Sequence, residues 1–407
     1  MNNPHLTRSQ FKTFAKAEID VPWALREAMK VIHPDGTLTV DGSRNLFRAL
    51  QTVFLSERIR LARKQYLKDS RNPRKKPEGK DSFRDTCSTL ADRLDHPPVY
   101  RYGHSGNWLL SKTSSRKKDG TEFHWDKSEA RWMGENEDEI ADFQYEALKK
   151  SGAFTNPVFL VQINWSGVGF KEDAPFFTNS LNHNEGQEHL PQQGNAMWKR
   201  VVKTGKADVL TGAYMTDFYK LFSSPQSETF AVFNNLTLDV FTVSGDQHKR
   251  AEWEQNLADE IGGLNDVAVP ALKYGVDLAG DITPLVASRI YITDLLYMAM
   301  LILLCEEAEL LNIEHPIMVP WHKQTQQGLI VSTLEAAGAR NFPFRDRIPF
   351  LNGYTAYSTF NLMYLHHPRH YGERFTQWLE GGNPSDLDKT IDMIAQYKRE
   401  WMRLYGA

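Results

Sequence analysis

One asparagine and one aromatic residue stand where the chain leaves an apolar run. Val158–Ile163 is continuously apolar except for Gln162, and Asn164 follows it directly. Phe176 comes a dozen residues later, within a polar, glycine-bearing segment. Open α/β sheets bind their ligands where strands give way to such loops. An amide and an aromatic ring in this arrangement can hold a planar ring between them.

Further polar residues follow two later apolar runs. Asp217 lies in Gly212–Lys220, and Phe360–Leu365 runs directly into the residues His366, His367 and Arg369. Each of these residues also has an ordinary structural explanation: Asn164 as a turn former, Phe176 in a core, Asp217 as a turn cap and the histidines in a loop. Together they offer a water-orienting amide, a stacking ring, a base-edge partner and a histidine donor.

The elements that must bring these residues together alternate between strand and helix patterns. Strands are predicted at Val158–Ile163, Gly212–Lys220, Pro316–Pro320 and Phe360–Leu365, with a core helix at Ile290–Leu311. Such alternation predicts an α/β fold with a mainly parallel central sheet flanked by helices. We expect this domain to span residues 96–407, with its core at about 155–380, after a mostly helical region at 1–95.

The N-terminal region contains two helix patterns and a basic stretch. Apolar residues recur at three- and four-residue spacing within Trp23–Met29 and Asn45–Leu67, on either side of a turn-rich break at Val31–Gly42. Arg58–Lys80 then holds ten Lys and Arg residues against two acids. This stretch is either a solvated linker or an arm for DNA phosphates, since basic side chains give sequence-independent affinity for nucleic acids. The arm's candidate contacts are Arg71, Arg74, Lys75 and Lys76.

Bulk composition narrows the classes of protein to which this chain can belong. The chain has 407 residues, a net charge of −3 and two cysteines outside any CxxC pair, so no disulfide framework or zinc–cysteine site is indicated. The apolar run Ile290–Leu304 is too short to span a membrane, and Glu306, Glu307 and Glu309 should return its helix to solvent. The N-terminus lacks an apolar signal core. We therefore expect a cytoplasmic protein without a membrane partner, acting as a monomer.

The order of these motifs resembles that of the uracil-DNA glycosylase superfamily. That family places an asparagine at a strand end, as in Val161–Ser166, followed by a Pro-Phe element, as in Asp173–Phe176. A helix motif, a base-reading strand and a histidine-proline motif follow, and Gly194–Trp198, Tyr214–Asp217 and Tyr364–Arg369 correspond to them. The resemblance covers roughly residues 155–380.

The resemblance implies roles for these residues. Asn164 would orient water at the sugar, and His367 would stabilise the leaving base, both as catalytic residues. Phe176, Asp217, His366 and Arg369 would bind a nucleotide flipped out of DNA. The family usually has asparagine where Asp217 stands, and an ionised carboxylate only accepts hydrogen bonds. Acidic side chains suit the amino group of cytosine, so a modified, cytosine-like base is predicted. No metal or cofactor is needed.

Departures from the family pattern leave alternatives open. Gln162 and Trp165 replace the usual neighbours of the catalytic asparagine, and Tyr291–Asp294 repeats the base-reading motif. A metal-dependent nuclease is one alternative, for which the candidate ligands are His183, Glu185, Glu188 and His189. A non-catalytic nucleic-acid-binding protein is another. The favoured prediction is a DNA glycosylase that acts in base excision or in defence against DNA carrying modified bases.

Overall fold

A computed structural model describes part of the chain. The described ranges are 6–32, 37–71, 99–108, 153–164, 206–220, 292–313 and 316–320, with residues 142, 145, 146, 148 and 149 and most of 391–403. The helices are α1 (Arg8–Lys16), α2 (Val21–Ile32), α3 (Val40–Ser70), α4 (Tyr102–Ser105), α5 (Ala207–Leu210) and α6 (Ile292–Leu310). The strands are β1 (Asn107–Trp108), β2 (Val158–Asn164), β3 (Tyr214–Tyr219) and β4 (Ile317–Pro320).

The chain divides into two compact units. One comprises Met1–Ile19, Tyr100–Ser223 and Leu303–Ala407, and the other comprises Asp20–Val99 and Ser224–Ile302. By its contacts, α1 therefore belongs with the sheet, although the sequence grouped it with residues 1–95. Helix α6 contributes its last two turns, from Leu303, to the sheet unit.

The described strands form one four-stranded mixed sheet in the order β1-β3-β2-β4. β2 runs parallel to both β3 and β4, while β1 pairs with β3 in the antiparallel sense. The buried residues of β2 are continuously apolar from Val158 to Val161, as expected for a strand covered on both faces. Because β2, β3 and β4 run parallel, their carboxyl ends lie at the same edge of the sheet.

Helix α1 anchors an aromatic cluster in the sheet unit. Thr7 caps the helix, since its hydroxyl accepts from the backbone N–H of Gln10, whose side chain accepts in return from the Thr7 backbone. Phe11 and Phe14, three residues apart, are both fully buried. Their rings meet those of Trp108, Tyr145, Phe154, Tyr102 and Tyr214 at centroid distances of 5.6–6.4 Å. This cluster, hereafter the aromatic cluster, forms the apolar core beside β1 and β3.

In the second unit, α2 packs against α3. Arg26 on α2 donates to the Ser43 hydroxyl on α3 at 3.0 Å. Of the turn-rich break predicted at Val31–Gly42, only residues 37–39 are described outside a helix, because Val31 and Ile32 end α2. Asp41 and Gly42, predicted to form part of it, instead lie in the first turn of α3, where the Thr39 hydroxyl accepts from the Gly42 N–H at 3.0 Å. Asp41 suits that position because a carboxylate is stabilised at a helix N-terminus.

The core helix α6 is confirmed, but its predicted exit to solvent is partly wrong. Glu309 is exposed, whereas the Glu307 carboxylate is completely buried. Leu303, Glu307 and Leu311 recur every four residues and are all buried, so they lie on one face that continues from the apolar helix. Among the described residues, no helix is both long and apolar enough to cross a membrane.

Four other predicted elements agree with the described structure. The strand patterns at Val158–Ile163, Gly212–Lys220 and Pro316–Pro320 correspond to β2, β3 and β4, and Asn45–Leu67 lies within α3. β2 extends one residue further than predicted and includes Asn164. The strand predicted at Phe360–Leu365 lies outside the described residues, so the full sheet order and the α/β fold class remain predictions.

Candidate functional site at the carboxyl edge of the sheet

Asn164 and Asp217 lie on neighbouring parallel strands near their carboxyl ends. Asn164 is the last residue of β2 and pairs in register with Tyr219 of β3. Asp217 pairs in register with Gln162, two positions before that end. The sheet therefore brings together two of the residues that the motif order singled out. A sheet edge of this kind is where open α/β proteins bind ligands.

Asp217 is buried and electrostatically unusual. Only 3% of the residue is exposed, and no group among the described residues hydrogen-bonds its Oδ1 atom. Burial raises the pKa of Asp217 to about 7, because desolvation disfavours the charged form; Lys220 lowers the pKa and Glu307 raises it. The sequence interpretation of a fully ionised carboxylate is therefore wrong near neutral pH, where the acid and the carboxylate coexist.

The alternative role of Asp217 as a turn cap stays a prediction, and the described contacts bear on one of its two carboxyl oxygens, Oδ1. Asp217 lies within β3, with Phe218 and Tyr219 still to follow in the strand. A cap requires a hydrogen bond from its side chain to a nearby backbone group. The structure shows no such bond to Asp217 Oδ1 from the residues it describes.

A second polar group, the Glu307 cluster, lies beside Asp217 and comprises Tyr214, Thr216, Lys220 and Glu307. The Lys220 ammonium lies 2.7 Å from Glu307 Oε2, and both side chains are completely buried. The Tyr214 hydroxyl donates to Glu307 Oε1 at 2.8 Å, and Thr216 Oγ1 lies 2.9 Å from both carboxylate oxygens. Lys220 also donates to the Thr216 hydroxyl. The carboxylate thus has three partners, as a buried charge requires.

Two tyrosines connect this polar cluster to the aromatic cluster. Burial and neighbouring glutamates raise the pKa of Tyr214 and of Tyr102 well above the usual value, so both phenols remain hydrogen-bond donors. Tyr102 donates to Glu306 at 2.6 Å, and its ring centroid lies 5.7 Å from the Lys220 ammonium. Cation–π attraction of this kind strengthens when the cation is desolvated.

Gly106 makes the close approach of Tyr214 possible. A Cβ atom at residue 106 would lie 1.7 Å from the Tyr214 hydroxyl oxygen and 2.3 Å from the ring carbon that bears it. Neither distance is compatible with van der Waals contact. The absence of a side chain at Gly106 therefore allows Tyr214 to reach Glu307.

The two segments that resemble the base-reading motif fold differently. Tyr214–Asp217 forms most of β3, whereas Ile292, Thr293 and Asp294 lie in the first turn of α6. Only the first segment therefore lies in a strand beside β2, and its role in reading a base stays a prediction.

The remaining predicted site residues lie outside the described residues, with one exception. Arg71 is exposed in the turn that follows α3, while the other three candidate phosphate contacts, Arg74, Lys75 and Lys76, are not described. The same holds for the residues predicted to stack, to bind and to stabilise the leaving base, namely Phe176, His366, His367 and Arg369. It also holds for His183, Glu185, Glu188 and His189; within the described part of the chain no group of three potential metal ligands occurs.

Sequence reasoning missed the Glu307 cluster, although a signal for it was present. Glu307 stands four residues from both Leu303 and Leu311, so helical periodicity assigns it to their face. Lys220 was noted only as a residue beyond the strand. Nothing in the sequence pattern pairs it with Glu307, because 87 positions separate the two residues (307 − 220).

The described site can exchange a proton near neutral pH. A carboxyl group with a pKa of about 7 can act as an acid or a base, or it can offer both a donor and an acceptor to a ligand. In comparisons with known proteins, no family model matches the chain, and no curated protein or solved structure matches it either.

Proposed function

We propose that the protein is a DNA glycosylase that hydrolyses the N-glycosidic bond of a flipped, modified, cytosine-like base. The observation that supports this most directly is the placement of Asn164 and Asp217 on neighbouring parallel strands near one edge of the sheet, with Asp217 buried and able to gain or lose a proton near pH 7. The proposed reaction needs a water-orienting group and a base-reading group close together, and these two residues fit the roles.

Asn164 is proposed to orient the attacking water. Breaking the bond places positive charge on the sugar and negative charge on the departing base, so correct placement of water lowers the barrier. The anion that leaves needs a hydrogen-bond donor, a role proposed for His367. Phe176 would stack on the extruded base, and His366 and Arg369 would complete its binding. Extrusion is required because the bond is out of reach within a stacked duplex.

Asp217 is proposed to read the base. As a neutral acid it offers a donor and an acceptor, which match the ring N3 acceptor and the amino donor of cytosine. As a carboxylate it still accepts from the amino group. Both forms therefore suit a cytosine-like base, which accounts for aspartate where the resembling family usually carries asparagine.

DNA is the proposed partner, and the basic arm is proposed to contact its phosphates. Lys64, Lys68 and Arg71, in and just after the last two turns of α3, are all exposed and lead directly into the remaining arm residues. Neutralising Arg71, Arg74, Lys75 and Lys76 together should weaken binding to all sequences alike and flatten its salt dependence by roughly 0.9 log-log units per lost phosphate contact. Arg44→Gln, at the opposite end of α3, is the control.

Alkali treatment of DNA after incubation with the protein tests the proposed activity. Duplexes with modified cytosines, modified thymines, uracil or no modification are compared for strand breaks at abasic sites. Asn164→Ala should abolish breakage and leave DNA binding nearly intact, whereas Asn312→Gly, an exposed asparagine at a positive φ, should retain activity. Binding without breakage on any substrate would favour a non-catalytic binder, and activity lost with chelator would favour a metal-dependent nuclease.

A further inference from the structure

The Lys220–Glu307 pair has no role in the proposed reaction, yet it is the most deeply buried charge pair among the described residues. Both side chains are completely inaccessible, and three donors surround the carboxylate. Buried pairs of this kind rarely add stability, because desolvating two ions offsets most of their attraction. A role other than stability is therefore worth seeking.

Its position relative to Asp217 suggests such a role. Thr216, which binds both members of the pair, immediately precedes Asp217 in β3, and successive strand residues point to opposite faces. The pair and Asp217 thus lie on the two sides of one strand and interact through space. Among the described residues, the charged groups that act on Asp217 are Lys220 and Glu307, with opposite signs.

The geometry points to Glu307 as a positioning residue that, by neutralising the Lys220 ammonium, keeps Asp217 able to meet the base as an acid as well as a carboxylate. This inference rests on the proposed function and adds to it the control of base selectivity. Without Glu307, the uncompensated ammonium would hold Asp217 in its charged form, since a nearby positive charge favours ionisation.

The two forms of Asp217 differ in which bases they accept. The neutral acid can exchange its donor and acceptor oxygens, so it pairs with cytosine-like edges and also with the N3–H and carbonyl of uracil-like edges. The carboxylate accepts from the exocyclic amino group of cytosine, but the uracil N3–H lies between two carbonyl oxygens that repel it. The ratio of cytosine-like to uracil-like excision should therefore rise as the pH passes upward through about 7.

The first measurement follows Asp217 itself, without DNA, by carbon-detected NMR of its labelled carboxyl group. In Glu307→Gln the titration midpoint should fall by about 1–3 pH units, as for a carboxyl beside an uncompensated cation. Glu307→Asp, which keeps the charge, should restore a midpoint near that of the wild type. Adding Lys220→Met to Glu307→Gln should abolish the fall and raise the midpoint above that of the wild type, because Lys220 acts on Asp217 more strongly than Glu307 does. Equal midpoints in all four proteins would overturn the inference.

The second measurement is the ratio of initial rates on paired cytosine-type and uracil-type duplexes from pH 6 to 8. Wild type should show a ratio that rises with pH by roughly 5- to 150-fold, the range of a good base-edge contact. Glu307→Gln should show a high ratio throughout that interval. Excision with a ratio that follows the same pH profile in both proteins overturns the inference and leaves the proposed function intact.

Two further outcomes separate the inference from its premise. If no duplex loses a base, the proposed function fails, yet a lowered Asp217 midpoint that Lys220→Met reverses still supports the electrostatic control. If Glu307→Gln does not fold, the double variant Lys220→Met/Glu307→Gln replaces it. Lys220 acts on Asp217 more strongly than Glu307 does, so the Asp217 midpoint should then exceed that of the wild type. An unchanged midpoint in the double variant would refute the control.

Discussion

The aromatic cluster and the Glu307 cluster meet in the same unit but are stabilised differently. The aromatic cluster consists of uncharged rings from α1, β1 and neighbouring segments, with centroids 4.9–6.4 Å apart. The Glu307 cluster contains a buried ion pair and two hydroxyl donors. Tyr214 belongs to both, since its ring packs on Phe14 and its hydroxyl donates to Glu307.

This difference determines how each cluster responds to substitution. Apolar packing is non-directional, so side chains of similar volume replace one another at small cost. A buried polar network depends on every partner, since removing one leaves another charged or polar group without a partner in a low dielectric. The Glu307 cluster should therefore be the more sensitive of the two, and the following substitutions test that expectation.

Loss of the Glu307 charge should have the largest effect. Glu307→Gln leaves the Lys220 ammonium buried without a counter-charge, and we expect a loss of about 3–5 kcal/mol in the free energy of unfolding. Lys220→Met/Glu307→Met removes both charges and leaves only hydroxyls without an acceptor, which costs about 1–3 kcal/mol. Urea unfolding measures both. A double variant as unstable as the single one would contradict this account of the pair.

The protonation of Asp217 should make stability depend on pH. An unfolded aspartate has a pKa of about 3.9, while that of folded Asp217 is about 7, so the native state binds the extra proton between these values. Stability should therefore fall as the pH rises from about 4 to about 7. Asp217→Asn should remove this part of the pH dependence. Between pH 4 and pH 7, the free energy of unfolding of the variant should therefore rise relative to that of the wild type by up to about 4 kcal/mol.

Unfolding at several pH values, with the exposed Asp41→Asn as control, measures this component. If the two curves stayed parallel from pH 4 to 8, the raised pKa of Asp217 would be refuted.

Gly106→Ala tests the point where the two clusters meet. The new methyl group would overlap the Tyr214 hydroxyl, so the ring must move and lose its bond to Glu307. We expect a loss of about 1–3 kcal/mol, typical of overpacking. Tyr214→Phe removes the same bond, so the two changes combined should cost less than their sum, by at least about 0.5 kcal/mol in a double-mutant cycle. Strict additivity would show that Gly106 and the hydroxyl act independently.

Phe14→Leu should have the smallest effect. Phe14 contacts Tyr102, Trp108 and Tyr214 through ring faces and edges, without a hydrogen bond from its own side chain. Another apolar side chain of similar size should cost no more than about 1.5 kcal/mol, as measured by thermal or urea unfolding. A loss equal to that of Glu307→Gln would remove the distinction between the two clusters.

Local patterns predicted the described elements well where they were long or strongly apolar. The runs that became β2, β3 and β4 are short and apolar, and the pattern within α3 has helical spacing. The motif order also selected Asn164 and Asp217, which the sheet brings to neighbouring strands. The break before α3 was predicted to extend to Gly42, because Asp and Gly are residue types common in turns. The Thr39 side chain instead caps the helix, so that Asp41 and Gly42 lie in its first turn.

By itself, the sequence determined where apolar strands and helices lie and which polar residues follow them, because hydrophobic spacing is a local property. Only the tertiary structure decided that Glu307 is buried against Lys220, and that Ile292–Asp294 begins a helix whereas Tyr214–Asp217 lies in a strand. It also decided the charge of Asp217. A carboxyl group's ionisation depends on how much water surrounds it and which charges are near, and here the Glu307 charge comes from a helix far along the chain from Asp217.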